Sequence, residues 1–275
     1  LTTATFAIPR TPGDRIRWAV ADYWTMTRRG LAHWARQPGQ VVFGLLFSVM
    51  ITVMFAFLLG GAMIVPGGGN YREFLMPGMF VMVTVFGIGE TATAVLNDAA
   101  KGVTDRFRSM PMAPSAVVVG RCLSDMALAL VNLAVMIGCG LAIGWRPSGS
   151  FAETLAAIGL LVLLRFAFVW LGIFLGLILK GPEAMTVVHT LEFPLGFLAN
   201  VFVATATMPS WLATIAEWNP LSSTVSAARE LFGNPGAGGD SWIAGHAMLM
   251  AVVWPLLIFA VFFPLSVRRY QNLSR

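Results

Sequence analysis

The sequence predicts an all-α membrane protein with six transmembrane helices, an N-terminal interfacial amphipathic helix, and a re-entrant or interfacial helical segment before the last span. Three observations point there. Of 275 residues, 57% are hydrophobic and 11% charged, where an ordinary soluble domain carries about a quarter charged residues. Apolar runs of roughly twenty residues, long enough to cross roughly 30 Å of hydrocarbon, recur along the chain. Lysines and arginines collect in short clusters between them. A mean hydropathy of +0.76 agrees. The 28 glycines and 15 prolines suit transmembrane helices, where neighbouring helices satisfy the backbone groups those residues free.

Residues 1–37 read as a cytoplasmic tail and the interfacial helix. Ile16, Val20, Tyr23, Trp24, Thr27, Leu31 and Trp34 recur at three- and four-residue steps while the arginines fall mostly elsewhere, as in a helix lying in the headgroup plane. The first 40 residues hold no short apolar core followed by a small-residue cleavage site, so the first span is expected to act as its own insertion signal. The transmembrane domain covers 38–267. Span one, 41–59, is free of charge, and the P-G-G-G-N at 66–70 is a turn-rich loop. Span two, 74–96, carries Glu90, and the polar loop 97–121 follows it. Span three is 126–145, and a short W-R-P-S-G-S connection leads to span four, 154–179, interrupted by Arg165. A tight turn at Lys180, Gly181 and Pro182 opens span five, 184–208, with His189, Glu192 and Pro194. The external segment 209–240 has mixed polarity, span six is 241–267, and 268–275 is a cytoplasmic tail. Cys122 and Cys139 are 17 residues apart on one predicted helix, about 25 Å at 1.5 Å per residue, too far to bridge.

Orientation follows from counting basic residues, which accumulate on cytoplasmic loops. With the N-terminus inside, Arg10, Arg15, Arg17, Arg28, Arg29, Arg36, Lys101, Arg106, Arg108, Arg121, Lys180, Arg268, Arg269 and Arg275 are cytoplasmic, and Arg72, Arg146 and Arg229 external. That is 14 against 3, with Arg165 in the membrane. Six spans with both termini inside the cytoplasmic (inner) membrane satisfy the count. The net charge of +5 is thereby explained by topology, and no basic face interleaved with aromatics suggests a nucleic-acid partner.

A membrane enzyme should show its reactive constellation, and G-x-S-x-G, H-E-x-x-H, C-x-x-C and clustered aspartates are all missing. His33, His189 and His246 fall in three different segments, without metal-ligand spacing. Neither lysine sits in a P-loop, since Lys101 and Lys180 are each followed, not preceded, by Gly. No catalytic site, metal or cofactor is therefore expected in this chain. An ion-coupled secondary transporter is the alternative from another class. It would more naturally show internal repeats and broken helices around mid-membrane ligands, and only Pro194 and Pro255 offer interruptions.

Two loops carry specific information. The stretch N-D-A-A-K-G-V-T-D-R-F-R-S-M-P-M-A-P, 97–114, alternates charge with the apolar anchors Phe107 and Met110, which suits docking into a groove of a cytoplasmic partner. M-P-S-W and W-N-P-L between 208 and 221 place Trp211, Leu212, Ile215 and Trp218 at helical steps before a break at Asn219-Pro220, with tryptophans suited to the headgroup level.

The D-R-F-R-S-M-P-M-A-P of 105–114, the M-P-S-W and W-N-P-L, and the A-A-R-E-L of 227–231 resemble the type-2 ABC transporter permeases, and within them the daunorubicin/doxorubicin-resistance type of exporter subunit. The resemblance covers nearly the whole chain. It implies that the N-terminal helix, with Arg28 and Arg29, and the coupling loop, with Asp105, Arg106, Phe107, Arg108 and Met110, contact a separate ATPase subunit that binds ATP and Mg. It implies two such ATPase chains and a second permease chain, identical or homologous, with spans two and five lining a central path for a hydrophobic or lipid-like substrate. Where family members carry an acidic residue followed by Gly in this loop, the chain has Asp98 and then Lys101-Gly102.

Ionisable residues inside a span cost roughly 3 kcal/mol or more each and mark function or a named partner. At 1.5 Å per residue, Arg165 lies about 16 Å from the outer end of span four and Glu192 about 9 Å from the inner end of span five, with Glu90 at similar depth. Snorkelling by a few ångströms would bring Arg165 to either acid. One reading makes Glu90 and Glu192 attract cationic amphiphiles into a path shared with Asn97, Phe193, Phe197 and Asn200. The other makes Arg165 an ion pair that only staples helices. Gly140-x-x-x-Gly144 and Gly172-x-x-x-Gly176 are expected to permit close helix packing.

Overall fold

The computed structural model describes residues 12–61, 63, 65, 68–102, 115–236, 239 and 241–272, and among them the secondary structure is helical throughout, with no strand. The helices are α1 (Pro12–Arg36), α2 (Pro38–Leu58), α3 (Tyr71–Ala100), α4 (Ala116–Ala142), α5 (Phe151–Ile178), α6 (Gly181–Phe197), α7 (Ser210–Trp218), α8 (Pro220–Phe232), α9 (Trp242–Gly245) and α10 (Ala247–Asn272). Their ends follow local chemistry. Asn70 accepts from Arg72 N–H to start α3, and Ser150 with Glu153 forms a reciprocal capping box on α5. Asn219 caps α8, whose first residue is Pro220, and Gly233 closes it at φ +65°.

Five described helices are long and apolar enough to cross a membrane: α2 from Val41, α3, α4, α5 and α10. They correspond to expected spans one to four and six, with three main shifts, the first being that α4 begins at Ala116, ten residues before the expected 126, and ends at Ala142 instead of 145. Helix α3 continues to Ala100, four residues past the predicted end. The last span begins at Ala247 instead of 241, because α9 ends at Gly245 and His246 breaks the helix, and it continues past Arg268 and Arg269.

The fifth expected span requires correction. A continuous helix over 184–208 is absent: α6 stops at Phe197, and 198–204 leave helical geometry before a 3-10 turn at Thr205–Thr207. The chain nevertheless continues antiparallel along α3. His189 lies against Thr93, Glu192 against Gly89, Phe193 against Phe86, Gly196 against Met82 and Val201 against Gly78, and the Phe202 carbonyl accepts from the Tyr71 hydroxyl. From Thr93 to Tyr71 this seam is about 33 Å long at 1.5 Å per residue.

The core gathers on α3, which holds seventeen buried residues, Tyr71 to Ala92. Helix α5 packs alongside it through Gly172 and Gly176, where any Cβ would press on the Ile88 and Ala92 carbonyls. That glycine pair is a packing motif as expected. Gly140-x-x-x-Gly144 is not one: Gly140 meets Met76 and Trp145, but Gly144 sits in the turn after α4 at φ +97° with open space around it. Cys122 and Cys139 both lie on α4 as free thiols. Helix α1 packs on the first turns of α4 through Met26 against Gly120 and Gly30 against Ser124, leaving Ile16, Val20, Trp24 and Leu31 exposed as an apolar stripe. The inward-facing stripe, with Met26 and Thr27 buried and Tyr23, Gly30 and Trp34 half-buried, therefore shares only part of the predicted apolar face.

Candidate functional site

Arg29, Lys101 and Arg121 gather at one end of the bundle, beside the C-terminal end of α3 and the start of α4. From this basic end a cavity of about 380 Å³ runs between α1, α2, α3, α4, α5 and α6, within the size range of small-molecule sites. Its floor is Phe80, Leu133 and Leu161, its middle holds Glu90, Thr93, Arg165 and His189, and its mouth is framed by Asn97, Asp98 and Lys101.

Each polar group reaches the cavity for a local reason. The G-I-G-E run at 87–90 places two glycines on α3 where neighbouring side chains approach its backbone. A Cβ at Gly87 would collide with the Arg165 guanidinium, which donates from Nη1 to the Thr84 carbonyl and from Nη2 to Thr91 Oγ1, both at 3.4 Å. A Cβ at Gly89 would collide with the His189 ring, and Gly89 N–H donates to Glu192 Oε1 at 2.5 Å. Glu192 Oε2 lies 3.2 Å from His189 Nδ1, and His189 Nε2 lies 3.2 Å from Thr93 Oγ1. The expected pairing of Arg165 with Glu90 or Glu192 is thus not the contact seen. Among the described residues no carboxylate comes within 4.0 Å of Arg165. The helix backbone, opened by Gly87, takes its place.

Two ion pairs stand near the mouth, Arg29 with Asp98 at 3.3 Å and Arg121 with Asp125 at 3.0 Å. Glu90 is exposed into the cavity and has no hydrogen bond or ion pair among the described residues. Asn132 also lines the cavity, with its Oδ1 buried and without a hydrogen-bond partner.

The expected path residues separate into three places. Glu90 and Asn97 line the cavity. Glu192 is 4% exposed and wedged between α6 and α3. Phe193 and Phe197 are exposed on the outer face of α6 and continue into an aromatic row with Phe86, Phe202 and Phe55. Asn200 is buried at the far end, bonded through its side chain to Ser226 Oγ and through its backbone to Ser222 Oγ. Of the expected docking residues, Arg28 and Arg29 are exposed at the basic end, while Asp105, Arg106, Phe107, Arg108 and Met110 lie outside the described residues. No cluster of three metal-ligating side chains occurs among the described residues.

Sequence reasoning missed Arg229. Counted as an external loop charge, it is 1% exposed. Its Nε donates to the Phe74 carbonyl at 2.8 Å and its Nη2 to the Asn200 and Val201 carbonyls at 2.9 and 3.0 Å, with the guanidinium 3.6 Å above the Phe74 ring. The Asn200 and Val201 carbonyls are freed where the chain leaves helix after α6, and the Phe74 carbonyl belongs to the first turns of α3. The nearby Trp145 donates to Asn234 Oδ1 at 2.8 Å and packs edge-on against Phe80 and Phe232. Of that trio only Phe80 lines the cavity, and Trp145 and Phe232 pack on it. The apolar context of the A-A-R-E-L run was the available signal for a buried arginine.

Comparisons with known proteins agree with this architecture. Residues 21–232 match the ABC-2 type transporter family. The chain is 32% identical to the daunorubicin resistance ABC transporter permease protein DrrB1 of Streptomyces coeruleorubidus over 263 residues, 94% of this chain and 90% of that one. It is 23% identical to the probable doxorubicin resistance ABC transporter permease protein DrrC of Mycobacterium tuberculosis, over 90% of this chain and 92% of that one. A putative transport permease, ycf38, of Cyanophora paradoxa is 22% identical over 88% of each chain.

Proposed function

The chain belongs to the ABC-2 type transporter family, and from that premise we propose that it is the permease subunit of an ATP-driven exporter. It moves hydrophobic or amphiphilic compounds, such as drugs, lipids or glycolipids, out across the cytoplasmic membrane, with the energy supplied by a separate ATPase subunit. The observation that carries this reading is the cavity itself, which extends from Arg29, Lys101 and Arg121 at the basic end to Phe80, Leu133 and Leu161 deep in the bundle, with Trp145 and Phe232 packed on Phe80. With the basic end cytoplasmic, it is the inward-facing part of an alternating-access path.

Six crossings fit the same frame. Helix α6 has 17 residues, about 25 Å, but with 198–202 it follows α3 for the full seam described above, enough to traverse the bilayer. Both termini are then cytoplasmic. Helices α7 and α8 form a re-entrant pair at the external face, where exposed Trp211, Ile215 and Trp218 suit the headgroup layer. The exposed stripe of α1 rests against lipid at the cytoplasmic side. Two permease chains meet two ATPase subunits, which bind ATP and Mg and dock on the 105–110 loop and on Arg28 and Arg29. The exposed apolar faces of α2 and α6 support a second permease chain.

The Thr93, His189 and Glu192 chain favours the ion-coupled alternative, and one experiment separates the two. The chain is co-expressed with candidate ATPase subunits, purified, and assayed for ATP hydrolysis and for vesicle uptake of amphiphiles. Copurification, stimulated hydrolysis and transport that survives collapse of the proton gradient are expected. A chain that copurifies with no nucleotide-binding subunit overturns the proposal.

A further inference from the structure

At the mouth of the cavity the unanswered groups are hydrogen-bond donors. Arg121 donates to Asp125 Oδ2 through Nε at 3.1 Å, while its Nη2 is buried without a hydrogen-bond partner. Trp34 Nε1 is in the same state. The Arg121 guanidinium carbon stands 5.7 Å from the centre of the Trp34 ring, so the two donors border one site between α1 and α4. Lys101, which caps the end of α3, is exposed and forms no ion pair among the described residues. All three residues line the cavity. Neither an indole nor a guanidinium can accept a hydrogen bond, and a buried donor left unmet is costly, so whatever completes this site must bring acceptor oxygens. Formal charge gives its sign. At the mouth Arg29, Lys101 and Arg121 stand against Asp98 and Asp125, a surplus of one positive charge, and deeper in Arg165 and Glu90 cancel.

We propose that this site binds the phosphate group of an anionic phospholipid from the leaflet at the basic end, with Arg121 Nη2, Trp34 Nε1 and the Lys101 ammonium as its donors. They come from three helices, and a tetrahedral phosphate offers oxygens in more directions than a planar carboxylate does. Its bonds to guanidinium and ammonium are charge-assisted. Two observations favour a lipid over a soluble phosphate. Arg29, Gly30, Asp98 and Arg121 also border a second, narrow crevice, whose other walls include Val95, Val117, Val118, Ile173 and Leu177, apolar surface beside the charged group. Helix α1 carries its exposed stripe of Ile16, Val20, Trp24 and Leu31, as does a helix lying at headgroup level, where basic pockets between membrane helices take anionic headgroups. A headgroup held there ties α1 to α3 and α4, adding to the contacts of Met26 with Gly120 and of Gly30 with Ser124. The inference goes beyond the exporter reading, because the lipid is a resident ligand and not the compound carried.

The probe is radiolabelled dioleoylphosphatidylglycerol, bound at equilibrium to the delipidated full chain in micelles of a non-ionic detergent. Saturable binding is expected. Zwitterionic dioleoylphosphatidylcholine should bind about fivefold more weakly, the order set by one basic charge at a membrane surface, and dioleoylglycerol, which lacks the phosphate, should not compete. Trp34→Phe keeps the ring and removes the N–H, and Arg121→Lys keeps a charge for Asp125 and removes Nη2. Each should lower affinity about threefold or more, and Lys101→Gln about fivefold. Three helices supply these variants, so the test does not depend on one of them folding. Arg17→Gln removes an exposed charge of α1 that does not line the cavity, and should change affinity by less than about twofold. Equal affinity for phosphatidylcholine, competition by dioleoylglycerol, unchanged affinity in all three site variants, or a loss in Arg17→Gln as large as in Lys101→Gln would each overturn the proposal. Displacement by inorganic phosphate would overturn the lipid and leave a soluble oxyanion as the ligand. Because binding needs no ATPase, loss of ATP coupling with these lipid results intact would count against the exporter reading alone.

Discussion

At the far end of the bundle, Arg229 makes three hydrogen bonds of 2.8 to 3.0 Å to backbone carbonyls and stacks on Phe74. At the basic end, Arg165 makes two of 3.4 Å and borders open space. Both arginines are buried, and both bond backbone carbonyls with no carboxylate within 4.0 Å among the described residues. The difference lies in what surrounds them. Around Arg229 the neighbours are backbone segments 74–78, 198–204 and the rigid buried helix α8, which cannot shift singly. Around Arg165 they are one turn of α3 at Thr84, Gly87 and Thr91 and a cavity, and its long, weak bonds can be exchanged for others. A transporter needs both kinds of arrangement: a fixed closure, and a region whose polar contacts can be remade as the cavity fills and empties.

Removing the anchor of the rigid end should have the largest effect. Arg229→Met strands the Asn200 and Val201 carbonyls, and an unmet buried acceptor costs about 1–3 kcal/mol, so a loss of about 2 kcal/mol or more is expected. The variant should show little monodisperse protein after mild heating in detergent, followed by size-exclusion chromatography. Arg229→Lys should recover less than half of that loss, since an ammonium lacks the planar fork that spans Phe74, Asn200 and Val201. Wild-type heat resistance in Arg229→Met would show that the far end is not held as described.

A matched pair of glycine substitutions then compares the two ends directly. At Gly78 a new methyl meets Val201 backbone, 3.0 Å from Cα and 2.9 Å from its carbonyl oxygen. Gly78→Ala should cost about 1–3 kcal/mol, the range for overpacking a tight contact. At Gly87 the methyl meets the far end of the Arg165 side chain, which can swing into the cavity. Gly87→Ala should change heat stability by less than about 1 kcal/mol while altering amphiphile-stimulated ATP hydrolysis. Equal destabilisation by the two would erase the contrast between a fixed and an adaptable end.

These positions also mark how far the sequence is legible. Spans with unbroken apolar runs and few charges, such as 41–58 and 151–178, are readable because hydropathy and length decide them. The end of α6 is not, because 197–204, F-L-A-N-V-F-V-A, stays as apolar after the helix stops as before it. The groups that allow the stop, Ser222, Ser226 and Arg229, lie more than twenty residues further on. The family was legible from short loop motifs. The geometry of the site was legible in part: depth placed Arg165, Glu90 and Glu192 near one another, but charge alone favoured pairing them. The bare backbone that Gly87 and Gly89 offer as a competing partner is a packing fact. A glycine pair flanking intramembrane ionisable residues is the nearest sequence signal for it.

The smallest effect should come from the mouth of the cavity. Arg29 and Asp98 sit 3.3 Å apart with 41% and 34% of their side chains exposed, where a pair in solvent contributes about 0.2–1 kcal/mol and is screened by salt. A double-mutant cycle with Arg29→Gln and Asp98→Asn, read as heat stability of the isolated permease, should give a coupling within that range that fades at high ionic strength. Arg29 is also a proposed docking residue for the ATPase subunit, so Arg29→Gln should weaken copurification more than Asp98→Asn does, although the two remove the same ion pair. Equal losses of copurification would leave Arg29 with a part only in the bundle, and would move the docking surface onto the 105–110 loop alone.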